Sequence, residues 1–77
     1  MAGRKHGITF EEAETAVLDP DSYVFDDPIH PDRAIVIGRS TRARLLVVVE
    51  CETKDGIVVI SARNAARAER EIYAQRG

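Results

Sequence analysis

The chain has a single cysteine, Cys51, in 77 residues. That excludes an internal disulfide and a metal site built on several thiolates. Hydrophobic runs are short. None approaches the roughly 18 residues that a membrane-spanning helix needs, and the N-terminus lacks the apolar region of a signal peptide. No internal repeat and no low-complexity tract is present. The two histidines, His6 and His30, stand far apart in the chain, so metal coordination has little support. The expectation is a cytoplasmic protein with no membrane association, no metal and no cofactor.

What is present is a globular balance, 44% hydrophobic and 31% charged. A chain of this length makes one domain, residues 1–77, and buries only about 60–65% of the surface its unfolded form exposes. The net charge of −2 hides a division. Residues 1–38 carry three basic and eight acidic side chains, a net of −5, while residues 39–77 carry eight and five, a net of +3. An acidic front half and an arginine-rich back half point to two faces with different partners.

The spacing predicts a small α+β fold: a helix, a meander of three or four antiparallel strands, and a C-terminal helix. Thr9-Phe10-Glu11-Glu12 has the capping-box spacing, with Thr9 bonding the Glu12 amide and the Glu12 carboxylate reaching back to the Thr9 amide. Phe10, Ala13 and Val17 make an apolar stripe, and Asp19-Pro20 ends the helix. Residues 22–26 and 34–40 read as strands, with Arg39 on the side of the pleat that carries Ile35 and Ile37. Residues 44–53, apolar on both faces around Val47, read as the central strand. Lys54-Asp55-Gly56 is a tight turn into a last strand over residues 57–62. A final helix is predicted from an N-cap at Asn64 to about Gln75, with a thin stripe of Ala65, Ala68 and Ile72 and with Arg67 and Arg70 opposite.

Lys5-His6-Gly7-Ile8-Thr9-Phe10-Glu11-Glu12-Ala13, Leu18-Asp19-Pro20, Ile37-Gly38-Arg39-Ser40 through Leu45-Leu46-Val47-Val48-Val49, and Ile60-Ser61-Ala62-Arg63 with Glu69-Arg70 and Tyr73 together resemble the BrnT toxin family. The resemblance runs from Lys5 to Tyr73. It implies a RelE-like fold and a ribosome-independent endoribonuclease, the toxin of a type II toxin–antitoxin pair. The implied partner is a BrnA-like ribbon-helix-helix antitoxin in a two-toxin, two-antitoxin complex, which touches operator DNA only through the antitoxin. Two departures stand out. Only Met1 to Arg4 precede the Lys-His-Gly step, so the start is expected to be shortened, and the final helix is less basic than is usual for the family.

Metal-free RNA cleavage uses the ribose 2′-hydroxyl as nucleophile. It needs a proton acceptor, a proton donor for the leaving oxygen, and cations for the phosphoryl transition state. Arg39 and Arg63, each at a strand end, are the cation candidates, because a guanidinium meets phosphate bidentately and stays protonated. The competing reading for each is a surface ion pair with a carboxylate such as Asp26 or Glu69, and for Arg63 a pairing with Glu69 or a carboxylate of the front half. His6, with an ordinary pKa of about 6.5, can donate or accept at neutral pH, and Lys5 adds charge beside it. Lys-His-Gly also reads as the end of a helix. Glu69 and Tyr73, one helical turn apart, are the further acid–base candidates. Arg42, Arg44, Arg67 and Arg70 are expected to contact RNA. A non-catalytic module that binds antitoxin or nucleic acid, having lost activity with its N-terminus, is the alternative function. The thin final stripe and the acidic front half lead to the expectation that the stable form is a complex.

Overall fold

The computed structural model describes residues 4, 5 and 7–76. The element order is β1 (Arg4–Lys5), β2 (Ile8–Thr9), α1 (Phe10–Val17), β3 (Tyr23–Asp26), β4 (Arg33–Arg39), β5 (Leu45–Thr53), β6 (Gly56–Asn64) and α2 (Arg67–Arg76). β3, β4, β5 and β6 form an antiparallel sheet in that order, and β1 pairs with β2 in a separate hairpin. This is the α+β meander flanked by two helices that the sequence pattern predicts. No helix among the described residues is long and apolar enough to cross a membrane.

Thr9 caps α1 as expected: its side chain accepts the Glu12 N–H at 3.1 Å. The reciprocal half of the capping box is absent, because the Glu12 carboxylate turns into the protein. The stripe also differs from the expected one. Ala13 and Ala16 are fully buried while Phe10 is 39% exposed. Alanines face the sheet because the helix must come close. A Cβ on Gly38 of β4 would lie 2.1 Å from the Ala16 carbonyl oxygen, so only glycine lets α1 sit there.

α1 covers one sheet face, burying Val36, Leu46, Val48 and Ala62 together with Ile8. The other face is only partly covered. Ile37, Leu45 and Val47 form a second small cluster with Ala65, and Ile35 and Tyr73 lie at its edge. Aliphatic residues on both sides of β5 match its reading as a central strand. The ladder between β5 and β6 shifts register between Val49 and Glu50, which leaves Ile60 without a partner at a bulge. The turn at 54–55 closes with Gly56 at φ +120°, a conformation glycine supplies without strain.

Lys5 and Gly7 belong to the β1–β2 hairpin and not to a helix end: Lys5 pairs with Ile8, and Gly7 takes φ +76°. The C-terminal helix also starts later than its sequence predicts. Asn64 remains on the ladder opposite Leu46, so it extends β6 and does not cap α2. The Ala66 N–H donates instead to the Glu69 carboxylate at 2.7 Å, a cap made by the helix's own first turn. Ala65 is buried ahead of the helix, Ala68 is exposed and Ile72 is 39% exposed. On α2, Glu69 and Tyr73 engage the rest of the molecule through their side chains.

A candidate site at the basic end of the sheet

A meander alternates its connections between the two ends of the sheet, and the charges sort with it. The 27–32 loop and the 54–55 turn share one end, where Asp26, Asp27, Asp32, Glu52 and Asp55 outnumber Arg33 and Lys54. The 40–44 turn, the end of β6 and α2 share the other, which carries the guanidiniums of residues 39, 42, 44, 63, 67 and 70. The division between sequence halves does not carry over to the strand ends, since front-half Glu12 and Asp19 bond Arg44 and Arg39 at the guanidinium end and back-half Glu52 and Asp55 lie at the other.

Arg39 closes β4 and Arg63 lies near the end of β6, on the same face and on either side of β5. They are thus about two strand spacings, on the order of 10 Å, apart. α2 runs over this gap and meets each of them with one side chain. Arg63 Nη1 and Nη2 donate to Glu69 Oε1 and Oε2 at 2.8 and 2.6 Å, a bidentate pair, and Nη1 also reaches the Asn64 carbonyl at 3.2 Å. The competing reading of Arg63 is the one the geometry displays. The Arg63 bonds hold the Glu69 carboxyl down at about 2, helped by the Ala66 N–H and opposed by burial. A carboxylate this acidic positions Arg63 and makes a poor proton acceptor at neutral pH.

At the other contact, the Tyr73 hydroxyl donates to Asp19 Oδ2 at 2.6 Å. The Arg39 N–H donates to the same oxygen at 2.8 Å, and the Asp21 N–H to Oδ1 at 2.9 Å. Burial raises the Asp19 pKa, but the bonds from Tyr73, Arg39 and Asp21 outweigh it and the carboxyl lies below its ordinary range. The Arg39 guanidinium carbon stands 5.6 Å from the Tyr73 ring centroid, a cation–π approach. The bond to Asp19, followed by burial and the Asp19 charge, pushes the Tyr73 phenol up, so it keeps its proton at neutral pH. Thr15, Asp19, Arg39, Thr41 and Tyr73 line an open cavity of about 440 Å³.

The remaining expected site residues are spread more widely. Arg44 donates through Nε to Glu12 Oε2 at 2.8 Å and through Nη2 to Glu12 Oε1, and it reaches the Gly7 carbonyl at 3.3 Å. Ser40 Oγ adds a bond to Glu12 Oε2 at 2.7 Å. The Arg44 bonds hold buried Glu12 at about 2 against the cost of burial. Arg44 is therefore tied to α1. Arg42 is exposed in the 40–44 turn. On α2, Arg67 is exposed and 3.5 Å from Glu71, and Arg70 is exposed. Lys5 is placed through its backbone in β1, and His6 lies outside the described residues.

Sequence reasoning missed Asp19 as a site residue, since Asp-Pro-Asp reads as a helix stop. It missed the Glu12–Ser40–Arg44 network for a similar reason, because a capping box already accounted for Glu12. In both cases the partners lie 20 or more positions away, where local pattern carries no signal.

A strand end rich in guanidiniums, with a phenol held protonated beside an ionised carboxylate, is a site suited to a polyanion. Residues 2–69 match the family model described as ribonuclease toxin, BrnT, of type II toxin–antitoxin system. The chain belongs to this BrnT family. No curated protein and no solved structure matches it.

Proposed function

We propose that this chain is an endoribonuclease that cleaves RNA at the basic end of its sheet by metal-independent acid–base chemistry, independently of the ribosome. The observation that carries this reading is the Tyr73–Asp19 bond of 2.6 Å beneath the Arg39 guanidinium, in a cavity open to solvent. The ribose 2′-hydroxyl attacks the adjacent phosphorus, the bond to the 5′-oxygen breaks, and a 2′,3′-cyclic phosphate and a 5′-hydroxyl result. Tyr73 turns its single O–H from Asp19 to the leaving 5′-oxygen, donates the proton that oxygen needs, and regains one from water after the product leaves. Asp19 holds the phenol protonated and in place until then. Arg39 and Arg63 neutralise charge that develops on the phosphoryl oxygens. His6 is assigned the 2′-hydroxyl proton, with Lys5 beside it, and Glu69 holds Arg63 in place. Arg42, Arg67 and Arg70 bind flanking phosphates. The activity is cytoplasmic and is neutralised by a BrnA-like ribbon-helix-helix antitoxin.

The test is incubation of the purified chain with 5′-labelled single-stranded RNA in the presence of a chelator. The expected products end in a cyclic phosphate, and Tyr73→Phe slows their appearance by about 10²–10⁴-fold, the range for loss of one general acid. RNA left intact by folded wild-type protein would overturn the enzymatic reading in favour of a module that only binds.

A further inference from the structure

The sheet face beneath α2 is not filled by α2. From the second core cluster outward, an open cleft of about 540 Å³ runs between Phe25, Pro28, Ile35 and Val49 and reaches Arg63 and Glu69 at its far end. Phe25 is 36% exposed here, and close to the cleft Tyr23 and Val58 are 40% and 48% exposed. Contiguous exposed apolar surface on so small a domain marks a contact site. The mouth of the cleft at Pro28 opens beside the acidic end of the sheet. Asp27 there is capped by the Ile29 and His30 N–H groups at 2.8 and 3.1 Å, and Asp32 lies on the same face at 3.8 Å from Cys51 Sγ.

We infer that this cleft is the docking surface for a protein segment that carries aliphatic side chains next to lysines or arginines, contributed by the antitoxin. The proposal rests on the reading that an antitoxin neutralises this chain, and it adds where that partner sits. The aliphatic floor takes the apolar side chains and the carboxylates at the mouth take the cations. The same features disfavour RNA here. Phosphates entering at Pro28 meet the carboxylates of Asp27 and Asp32, like charges that repel them. The two ends of the sheet thus have separate partners, RNA at the guanidinium end and antitoxin at the carboxylate end. Because the cleft terminates on the Arg63–Glu69 pair, a segment seated in it abuts the pair that fixes Arg63 and the start of α2. That contiguity lets binding at one end silence the other.

The test uses the full chain and the antitoxin that restores growth when co-expressed with it. Affinity is measured by calorimetry at two salt concentrations. Phe25→Ala is expected to weaken binding at least tenfold, as for a buried aromatic anchor. Asp32→Lys, at an exposed position, is expected to weaken it severalfold and to flatten its salt dependence. Both variants should cleave RNA at the wild-type rate in the absence of antitoxin. Unchanged affinity in both folded variants, with loss instead on Arg42→Ala, would place the antitoxin at the basic end and overturn the proposal. An altered RNA cleavage pattern in Phe25→Ala at unchanged antitoxin affinity would make the cleft a base-binding subsite instead. A dimer that Phe25→Ala converts to monomer at unchanged antitoxin affinity would make a second copy of the chain the occupant. If no co-expressed antitoxin restores growth or binds the wild type, the partner reading itself falls, a result distinguishable from the others.

Discussion

The Tyr73 hydroxyl and the Asp19 carboxylate, 54 positions apart in sequence, share a 2.6 Å hydrogen bond that ties α2 to the segment after α1. Asp19 accepts the Arg39 amide at the same oxygen, so one carboxylate joins helix, loop and strand. Asp19→Asn should bring the Tyr73 titration back toward the ordinary tyrosine range, because it removes the charge that raises it and leaves only a weaker, neutral acceptor. Ultraviolet titration in a Tyr23→Phe background isolates the one phenol. A raised pKa that persists in Asp19→Asn would show that the bond does not govern this group.

The Arg63–Glu69 pair makes a second prediction. With the guanidinium side chain 48% exposed, solvent screening keeps the pair's contribution to stability near 1 kcal/mol. Arg63→Ala and Glu69→Ala should each lower the melting temperature by a few degrees, and the double variant by little more than Glu69→Ala alone. Cleavage separates the roles. Arg63→Ala should slow it by about 10²–10³-fold and Arg63→Lys should recover part of that, since lysine lacks the guanidinium fork. Full activity in a folded Arg63→Ala protein would remove Arg63 from the chemistry and leave it as a strut for α2.

Acid should unfold the domain through its paired carboxylates. Glu12 and Glu69 are both held at about 2 when folded, well below their ordinary value of 4.5. A group whose folded pKa is lowered stabilises the protein above its unfolded pKa, and that contribution is lost as the pH falls toward the folded one. Stability should therefore decline between about pH 5 and pH 2. Glu12→Gln should cost about 2 kcal/mol at neutral pH, because it breaks charge-assisted bonds at a buried site, and should flatten this decline. Denaturant titrations of both proteins at pH 7 and pH 3 make the comparison, and parallel losses would count against Glu12 as a source of acid sensitivity.

Gly38→Ala addresses the packing of α1. The new methyl would sit 2.1 Å from the Ala16 carbonyl oxygen, and the obstructing atom is backbone. The helix has to move off the sheet, at a cost of about 3 kcal/mol or more. A chemical denaturation midpoint equal to wild type would contradict this close approach.

Local pattern alone carries much of the fold. Thr9 is an N-cap because a hydroxyl before a run of helix formers can satisfy the Glu12 amide within three positions. Val47 and its neighbours are β-branched and apolar on both faces, so they specify a buried strand whatever surrounds them. Gly56 beside Asp55 fixes a hairpin turn. Family membership was legible in the same way, through short motifs in order along nearly the whole chain. The start of α2 was not, because Asn64 favours an N-cap in isolation while the ladder bonds to Leu46 hold it in β6.

The sequence by itself determined the start of α1, the four strands of the main sheet and the turn at 54–55, and it supplied the guanidiniums and the tyrosine. Only the tertiary structure decided their company. Arg44 meets Glu12 because folding sets a buried, ionised carboxylate within its reach, and a charge so buried needs a cation. Asp19 became a site residue only when α2 lay across the sheet and delivered Tyr73 to it. Acids of the front half, Glu12 and Asp19, meet arginines of the back half because α1 and the segment after it lie at the guanidinium end of the sheet. Propensity and periodicity act over a few residues. Pairings of this kind depend on loop closure across 20 to 54 positions, and only the packed sheet makes that closure favourable.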